Sequence, residues 1–262
     1  MTETGFVSPW AESAPPTPPV PPAPTRTPSL AWNLVSTALL FLWLAWQMGW
    51  IWALAGVVGV FVHEFGHALA VNAAGCGPST IRIIPFLGGA ATVPRAPDTE
   101  YKGVLIALAG PAFGLLAAIP FFIAAGYDPR WRGGALFIAG INLLNLVPAP
   151  PLDGSKALGP ILARIHPLLE RLALLVVGVL AVVWTVSRGS LILPVFIGLS
   201  VAASLRAARL RPPARPLSAT EWVASLGLYL AVGTLCAAAL LAALQGAGPA
   251  WLRLFGFSGA RP

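Results

Sequence analysis

Charged residues are scarce in this sequence: they make up 10% of its 262 residues, whereas hydrophobic residues make up 57%. Because a soluble domain carries about a quarter charged residues, this composition excludes a water-soluble globular fold and indicates an integral membrane protein. Cysteine is scarce as well, with only Cys76 and Cys236 and no CxxC motif. The sequence therefore excludes a disulfide framework.

The net charge of +7 would favour nucleic-acid binding in a soluble protein. Here most lysines and arginines flank apolar runs, as they do in cytoplasmic loops. We therefore expect a lipid bilayer as partner and no nucleic acid. The positive-inside rule places the N-terminus in the cytoplasm of a multi-pass protein of the cell membrane. The first apolar run begins near Leu30, so no cleavable signal peptide is predicted.

Seven apolar runs have about the length that a bilayer crossing requires, roughly 17–25 residues. They cover residues 31–48, 50–75, 103–125, 134–150, 168–186, 190–206 and 221–244. We therefore predict an all-α integral membrane protein, a polytopic bundle of about six to seven transmembrane helices. Between the second and third runs, the β-branched residues and the Gly88-Gly89 pair of segment 79–97 predict a short membrane-associated β-hairpin.

These runs divide the chain into four parts. Residues 1–29 are rich in proline and predict a disordered cytoplasmic tail, and residues 30–206 are the transmembrane core. A basic cytoplasmic loop follows at 207–220. Residues 221–262 are predicted to add a C-terminal transmembrane helix and tail.

The segment VHEFGHALAV, residues 62–71, places ionisable groups inside the second run. His63 and His67 are four residues apart on a predicted helix and share one face, which is the spacing at which two imidazoles bind one metal ion. Glu64 lies beside them as a candidate base. A carboxylate in a span costs roughly 2.5–3.5 kcal/mol on insertion scales, so Glu64 needs a function. Since a catalytic zinc site has three protein ligands and one open position, a third ligand must come from elsewhere.

Asp153 is the best candidate for that third ligand. It follows the end of the fourth run, where Pro148, Pro150 and Pro151 interrupt the helix. We expect Gly154 to let the chain turn away directly after the carboxylate. The predicted topology puts Asp153 in the same leaflet as the two histidines, so that one ion could join them. A solvated loop carboxylate and a helix cap remain as alternatives.

Two motifs together carry a resemblance to a known family. HEFGH followed by NLVPAPPLDG resembles the paired motifs of the site-2 protease family of intramembrane zinc metalloproteases, in the compact form without a PDZ or CBS domain. ALAGPAFG, residues 107–114, is similar to the helix-breaking Gly-Pro of the family's third core span, and IRIIPFLGG resembles its β-hairpin. The resemblance covers about residues 31–165.

The resemblance implies one Zn²⁺ per chain, held by His63, His67 and Asp153, with Glu64 as general base. It also implies that Asn145 orients the substrate or stabilises an oxyanion, although an interhelical hydrogen bond explains this residue equally well. Asn142, one turn earlier, is predicted to be structural.

The implied activity is hydrolysis of a peptide bond within or beside a transmembrane segment of a single-span membrane protein or peptide substrate. Two alternatives belong to other classes: a metal-ion transporter that uses the same ligands, and a protease-like scaffold that binds without cutting. The oligomeric state is left open.

Overall fold

The computed structural model describes residues 29–84, 88–149, 151–187, 198, 199, 202 and 214–245. Eight helices are bounded within these residues: α1 Leu30–Met48, α2 Trp50–Ala73, α3 Glu100–Leu116, α4 Ala118–Ala125, α5 Trp131–Asn145, α6 Asp153–Ile165, α7 Pro167–Ser187 and α8 Ala219–Leu244. The described chain is therefore mostly helical, as predicted. The predicted span 190–206, the tail 1–29 and the loop 207–220 lie largely outside the described residues.

Four stretches of the described chain are long and apolar enough to cross a membrane: α1, α2, the pair α3–α4 (Glu100–Ala125) and α8. They agree with a multi-pass membrane protein, but the predicted count of six to seven spans is not confirmed. The predicted run 134–150 is shorter as a helix, because α5 has 15 residues and ends at Asn145. Pro148 has no N–H and cannot extend the helical hydrogen bonding.

The predicted run 103–125 is divided into two helices. α3 continues through Pro111, so the Gly-Pro pair does not end it, and the break lies at Ala117. Pro120 lacks the N–H that the carbonyl of Leu116 would need in an unbroken helix. The break therefore follows from the second proline of this run.

A further difference concerns the segment after Asp153, which was expected to turn away at Gly154. Asp153 instead begins α6, and Leu152 precedes it in an extended conformation with φ −65° and ψ 155°. Gly154 has no positive φ, unlike Gly49 and Gly75. Glycine is needed here because the backbone of Leu146 and Val147 approaches closely, and not because the chain turns.

The predicted hairpin is confirmed. β1 (Ile81–Ile84) pairs antiparallel with β2 (Gly88–Ala91), with Ile81 opposite Ala91. Thr92 N–H extends the ladder by donating to the Thr80 carbonyl at 2.9 Å. β1 lies against α1 and β2 against α2, so the hairpin bridges the first two helices.

Helix α2 is central to the bundle and packs against α1, α3 and α5. Small residues allow this close packing. A Cβ at Gly59 would lie 3.0 Å from Cγ1 of Ile138, and one at Gly66 would lie 2.5 Å from the Ala109 carbonyl oxygen. The middle of α2 is therefore held closely between α3 and α5.

Helix α8 packs against α3, α5 and α6. Its start is fixed by a capping box between Ser218 and Glu221, two residues that satisfy each other's backbone N–H groups. The segment before it pairs with the start of α3: Arg215 N–H donates to the Asp98 carbonyl at 2.9 Å, and Glu100 N–H donates to the Arg215 carbonyl at 3.0 Å.

Candidate metal centre

Three buried ionisable side chains of α2 meet a fourth from α6. His63, Glu64 and His67 are 5%, 7% and 8% exposed, and Asp153, at the first position of α6, is 7% exposed. Because an α-helix advances 3.6 residues per turn, the two histidines project from one face of α2. The close packing of α2, α3 and α6 brings that face to Asp153.

Three ligand atoms converge on one point. Nε2 of His63 lies 3.1 Å from Nε2 of His67, and Oδ2 of Asp153 lies 3.1 Å and 3.0 Å from them, respectively. The structure therefore brings together the three residues that the sequence proposed as ligands.

The outer ring nitrogen of each histidine faces an acceptor, which fixes its tautomer. Nδ1 of His67 lies 2.7 Å from the Ile106 carbonyl oxygen, which can only accept. Nδ1 of His63 lies 2.8 Å from Oδ1 of Asn142, and the amide nitrogen of Asn142 donates to the Ile138 carbonyl at 2.8 Å. Both Nδ1 atoms therefore carry the proton, and both Nε2 atoms present lone pairs to the shared point.

This arrangement suits a metal cation. Two neutral imidazole lone pairs and a carboxylate oxygen repel each other at 3.0–3.1 Å. A single added proton bridges one pair of these atoms only, whereas a metal ion faces all three. Nitrogen and oxygen ligands at roughly 2.0–2.2 Å from a tetrahedral zinc ion are about 3.3 Å apart, so the donor set fits a small cation with little adjustment.

Helix α3 provides the space for this centre. A Cβ at Gly110 would collide with Nε2 of His67 and would lie 2.8 Å from Nε2 of His63. Pro111, the next residue, has no N–H for the Ala107 carbonyl, so this turn of α3 lacks one hydrogen bond. The Ile106 carbonyl that accepts from His67 belongs to the same turn.

Glu64 lies beside the three ligand atoms without joining them. The cluster of potential metal ligands contains His63, His67 and Asp153 but not Glu64. Strand β2 covers the Glu64 side chain: a Cβ at Gly89 would lie 3.1 Å from Glu64 Cδ, and Gly89 and Ala91 line the same cavity as Glu64. A carboxylate that is close to a metal site and not bound to it is suited to proton transfer.

Residues 34–150 match the Peptidase M50B-like family. The matched part of the chain is therefore similar to that family. The match agrees with the resemblance to site-2 proteases.

Curated relatives support the same assignment. Over 127 residues, 46% of this chain, the sequence is 32% identical to sll0528 of Synechocystis, named as a candidate zinc metalloprotease. It is 31% identical to the zinc metalloprotease MJ0392 of Methanocaldococcus jannaschii over 115 residues, 41% of this chain. It is also 31% identical to Rip3 of Mycobacterium tuberculosis, another candidate zinc metalloprotease, over 136 residues, 46% of this chain. The matches span 33% of the length of each relative, and no solved structure matches the chain.

Within the part that matches the M50B-like family, Asn142 of α5 contacts one of the histidine ligands. Asn142, which was expected to be structural, is 1% exposed and holds His63. A Cβ at Gly114 would lie 2.6 Å from its amide nitrogen, so Gly114 leaves the room that Asn142 fills. The signal available in the sequence was a polar residue inside an apolar helix, but the sequence does not show the rotation of α5 that turns Asn142 toward His63.

Asn145, the asparagine proposed for substrate contact, does not touch the three ligands through any described hydrogen bond. Its amide nitrogen donates to the Ile141 carbonyl at 3.1 Å, and its side chain lines a cavity of about 1090 Å³. His63, Glu64, His67 and Asp153 line the same cavity. Asn145 is therefore placed to meet a bound molecule rather than the metal ion.

Part of the cavity wall is formed by polar residues. Lys156 lines it with a side chain that is 58% exposed and lies 3.8 Å from Asp153 Oδ1. Thr99, Glu100 and Glu170 line it as well, and its other walls include Leu40, Trp43 and Phe137. The cavity thus combines an apolar part, suited to a hydrophobic substrate, with a polar part through which water can enter.

Proposed function

We propose that the chain is an intramembrane zinc metalloprotease that hydrolyses peptide bonds within or near transmembrane segments of membrane-protein substrates. The observation that carries this proposal is the buried carboxylate of Glu64 beside three converging ligand atoms in an apolar helix. His67 lies six residues before the end of α2 at Ala73, or about 9 Å along the helix. The reaction would therefore take place inside the bilayer, close to one face.

His63, His67 and Asp153 would hold the zinc ion as the three protein ligands of a catalytic site, in which the fourth position is kept for water or substrate. Zinc, when bound, supplies Lewis-acid chemistry, which polarises a carbonyl and makes water nucleophilic at neutral pH. Glu64 takes the proton of the attacking water on its carboxylate and delivers it to the leaving amine. Strand β2 covers that carboxylate at Gly89.

Strand β2 also offers a way to bind substrate. A helix uses its own carbonyls for hydrogen bonds, so a substrate segment must unwind before it can be cut. Gly89, Ala90 and Ala91 line the cavity, and an extended segment could pair with the edge of β2 by main-chain hydrogen bonds. Asn145, on the opposite wall, would orient that segment or stabilise the oxyanion.

The partner we propose is a single-span membrane protein or peptide, and the setting is the cell membrane. Lys102, Lys156 and Arg215 lie near the start of α3, α6 and α8. By the positive-inside rule, these basic residues favour a cytoplasmic location for this end of the bundle. The N-terminus and the active site would then face the cytoplasm.

A metal-ion transporter and a scaffold that does not cut are the competing functions. Neither has a feature of this site to support it, because the three ligands are buried and Glu64, which transport does not need, lies beside them under β2.

The test compares the purified full-length chain with Glu64→Gln and His67→Ala, with zinc per chain and cleavage of single-span substrates measured for each. Since a general base contributes roughly 10²–10⁴-fold, Glu64→Gln should keep one zinc and cut at least about 100-fold more slowly. His67→Ala should lose zinc.

Each contrary result identifies the error. Equal cleavage by wild type and Glu64→Gln would remove Glu64 as the base. Absence of zinc from the wild type would show that the ligand set is wrong. Zinc binding without cleavage of any substrate would favour the scaffold.

A further inference from the structure

Two side chains of α8 donate hydrogen bonds to the backbone around the metal centre. The Tyr229 hydroxyl donates to the Leu146 carbonyl at 2.6 Å, and Trp222 Nε1–H donates to the Ile161 carbonyl at 3.0 Å. Leu146 is the C-cap of α5, and Ile161 lies in α6. Of the two, the hydrogen bond of Tyr229 lies nearer in the chain to the proposed ligand Asp153.

The Leu146 carbonyl lies directly against the residue that follows the aspartate ligand. A Cβ at Gly154 would collide with the carbonyl carbon and oxygen of Leu146 and with the carbonyl oxygen of Val147. Asp153 is the neighbour of Gly154, and Asn142, which orients His63, lies one helical turn before Leu146. The Leu146 carbonyl therefore lies between Asp153 and Asn142, and it contacts the residue next to Asp153 directly.

This carbonyl has no partner within its own helix. In a continued helix, the N–H four residues later would serve it, but that residue is Pro150, which has no N–H. Leu146 is 4% exposed, so bulk water does not satisfy it either. An unsatisfied carbonyl at membrane depth is costly, and the Tyr229 hydroxyl supplies the missing donor.

The packing around this bond joins α8 to the catalytic helices. Val232 and Cys236 of α8 share one hydrophobic cluster with Leu146, with Ala157 of α6 and with Val104 of α3. Tyr229 packs against the same cluster. Helix α8 is thus built into the unit that carries Asp153, instead of being an addition to it.

We propose that Tyr229 is a positioning residue of the metal centre: its hydroxyl fixes the Leu146 carbonyl, and through Gly154 it fixes the placement of Asp153. This inference rests on the proposed metal site. It predicts that loss of the hydroxyl weakens metal binding, because supporting contacts behind a ligand typically contribute 10–100-fold in affinity.

The experiment uses purified full-length protein with Tyr229→Phe, which removes only the hydroxyl. Tyr127→Phe is the matched control, because Tyr127 is 90% exposed in the turn after α4. Zinc affinity is measured by competition with a chelator, and kcat and KM are measured separately. Tyr229→Phe should bind zinc 10–100-fold more weakly and lower kcat at saturating zinc with KM within about twofold. Tyr127→Phe should match the wild type in every value.

A third variant separates positioning from general stability. Replacement of Tyr229 by 4-aminophenylalanine restores an N–H donor at the same place and should recover most of the zinc affinity. Wild-type affinity in Tyr229→Phe would overturn the proposal, as would a loss that the amino variant fails to recover. Because zinc affinity needs no substrate, the result is independent of the protease assay: a wild type that binds zinc but cuts nothing contradicts the proposed function alone.

Discussion

Replacement of Asn142 by leucine should weaken zinc binding without unfolding the protein. Asn142 Oδ1 accepts from His63 Nδ1 at 2.8 Å, and the residue is 1% exposed. Leucine has a similar volume but offers no acceptor, so the Nδ1–H of His63 is left buried and unpaired. The imidazole then gains by moving its proton to Nε2, which removes the lone pair that the metal ion needs.

Two effects set the size of this change. Loss of a contact that orients a metal-binding histidine typically costs 10–100-fold in metal affinity, or about 1.4–2.7 kcal/mol at 25 °C. A buried donor without a partner costs about 1–3 kcal/mol. We therefore expect the zinc dissociation constant of Asn142→Leu to rise by about one to two orders of magnitude.

The assay is zinc competition against a chelator in detergent, with Asn145→Leu as the matched control on the same helix. Asn145 donates to Ile141 and lines the cavity without contacting His63, so its leucine variant should keep wild-type zinc affinity and lose activity. Asn142→Asp retains an acceptor and should bind zinc much better than Asn142→Leu. Equal zinc affinity in the two leucine variants would refute the assigned orientation of His63.

Three further substitutions separate metal binding, catalysis and stability. Gly110→Ala should lower zinc affinity at least about tenfold in the same titration, although alanine favours a helix by about 1 kcal/mol, because its Cβ would collide with Nε2 of His67. Gly89→Ala should keep one zinc per chain but lower kcat in the cleavage assay, because its Cβ presses on Glu64. Ser218→Ala should lower the free energy of unfolding by about 1 kcal/mol through loss of the capping box, seen as a lower Tm, with zinc content unchanged.

The local parts of the site could be predicted from the sequence because they depend on helical period alone. The spacing of four positions from His63 to His67 places both imidazoles on one face of any α-helix. A carboxylate inside a membrane span is costly, which singled out Glu64 as a functional residue. Asp153 lies 90 residues from His63, and neither period nor spacing connects such distant residues. Topology and the family motif supplied that link.

What the sequence left open and what it predicted wrongly share one cause, which is that a single helix does not specify its rotation or its neighbours. Asn142 and Asn145 lie three residues apart, and only the packing of α5 on α2 decides which of them meets His63. Gly154 was interpreted as a turn residue, since glycine after a proline-rich segment is usual in turns. The close approach of the Leu146 carbonyl, which makes glycine necessary there, depends on a contact between α5 and α6 that the sequence does not show.

Each metal-facing residue is supported by a different helix, and this distribution has a thermodynamic consequence. His63 depends on α5 through Asn142, His67 depends on α3 through Ile106, and Asp153 begins α6, beside the carbonyl that α8 holds. A bound ion therefore gains its full affinity only when all these helices are packed around α2. By linkage, an ion at 100 times its dissociation constant returns about 2.7 kcal/mol to that packed state. Metal binding and assembly of the bundle are accordingly coupled. Without the ion, three lone pairs face each other at the centre, and their repulsion disfavours the packed state.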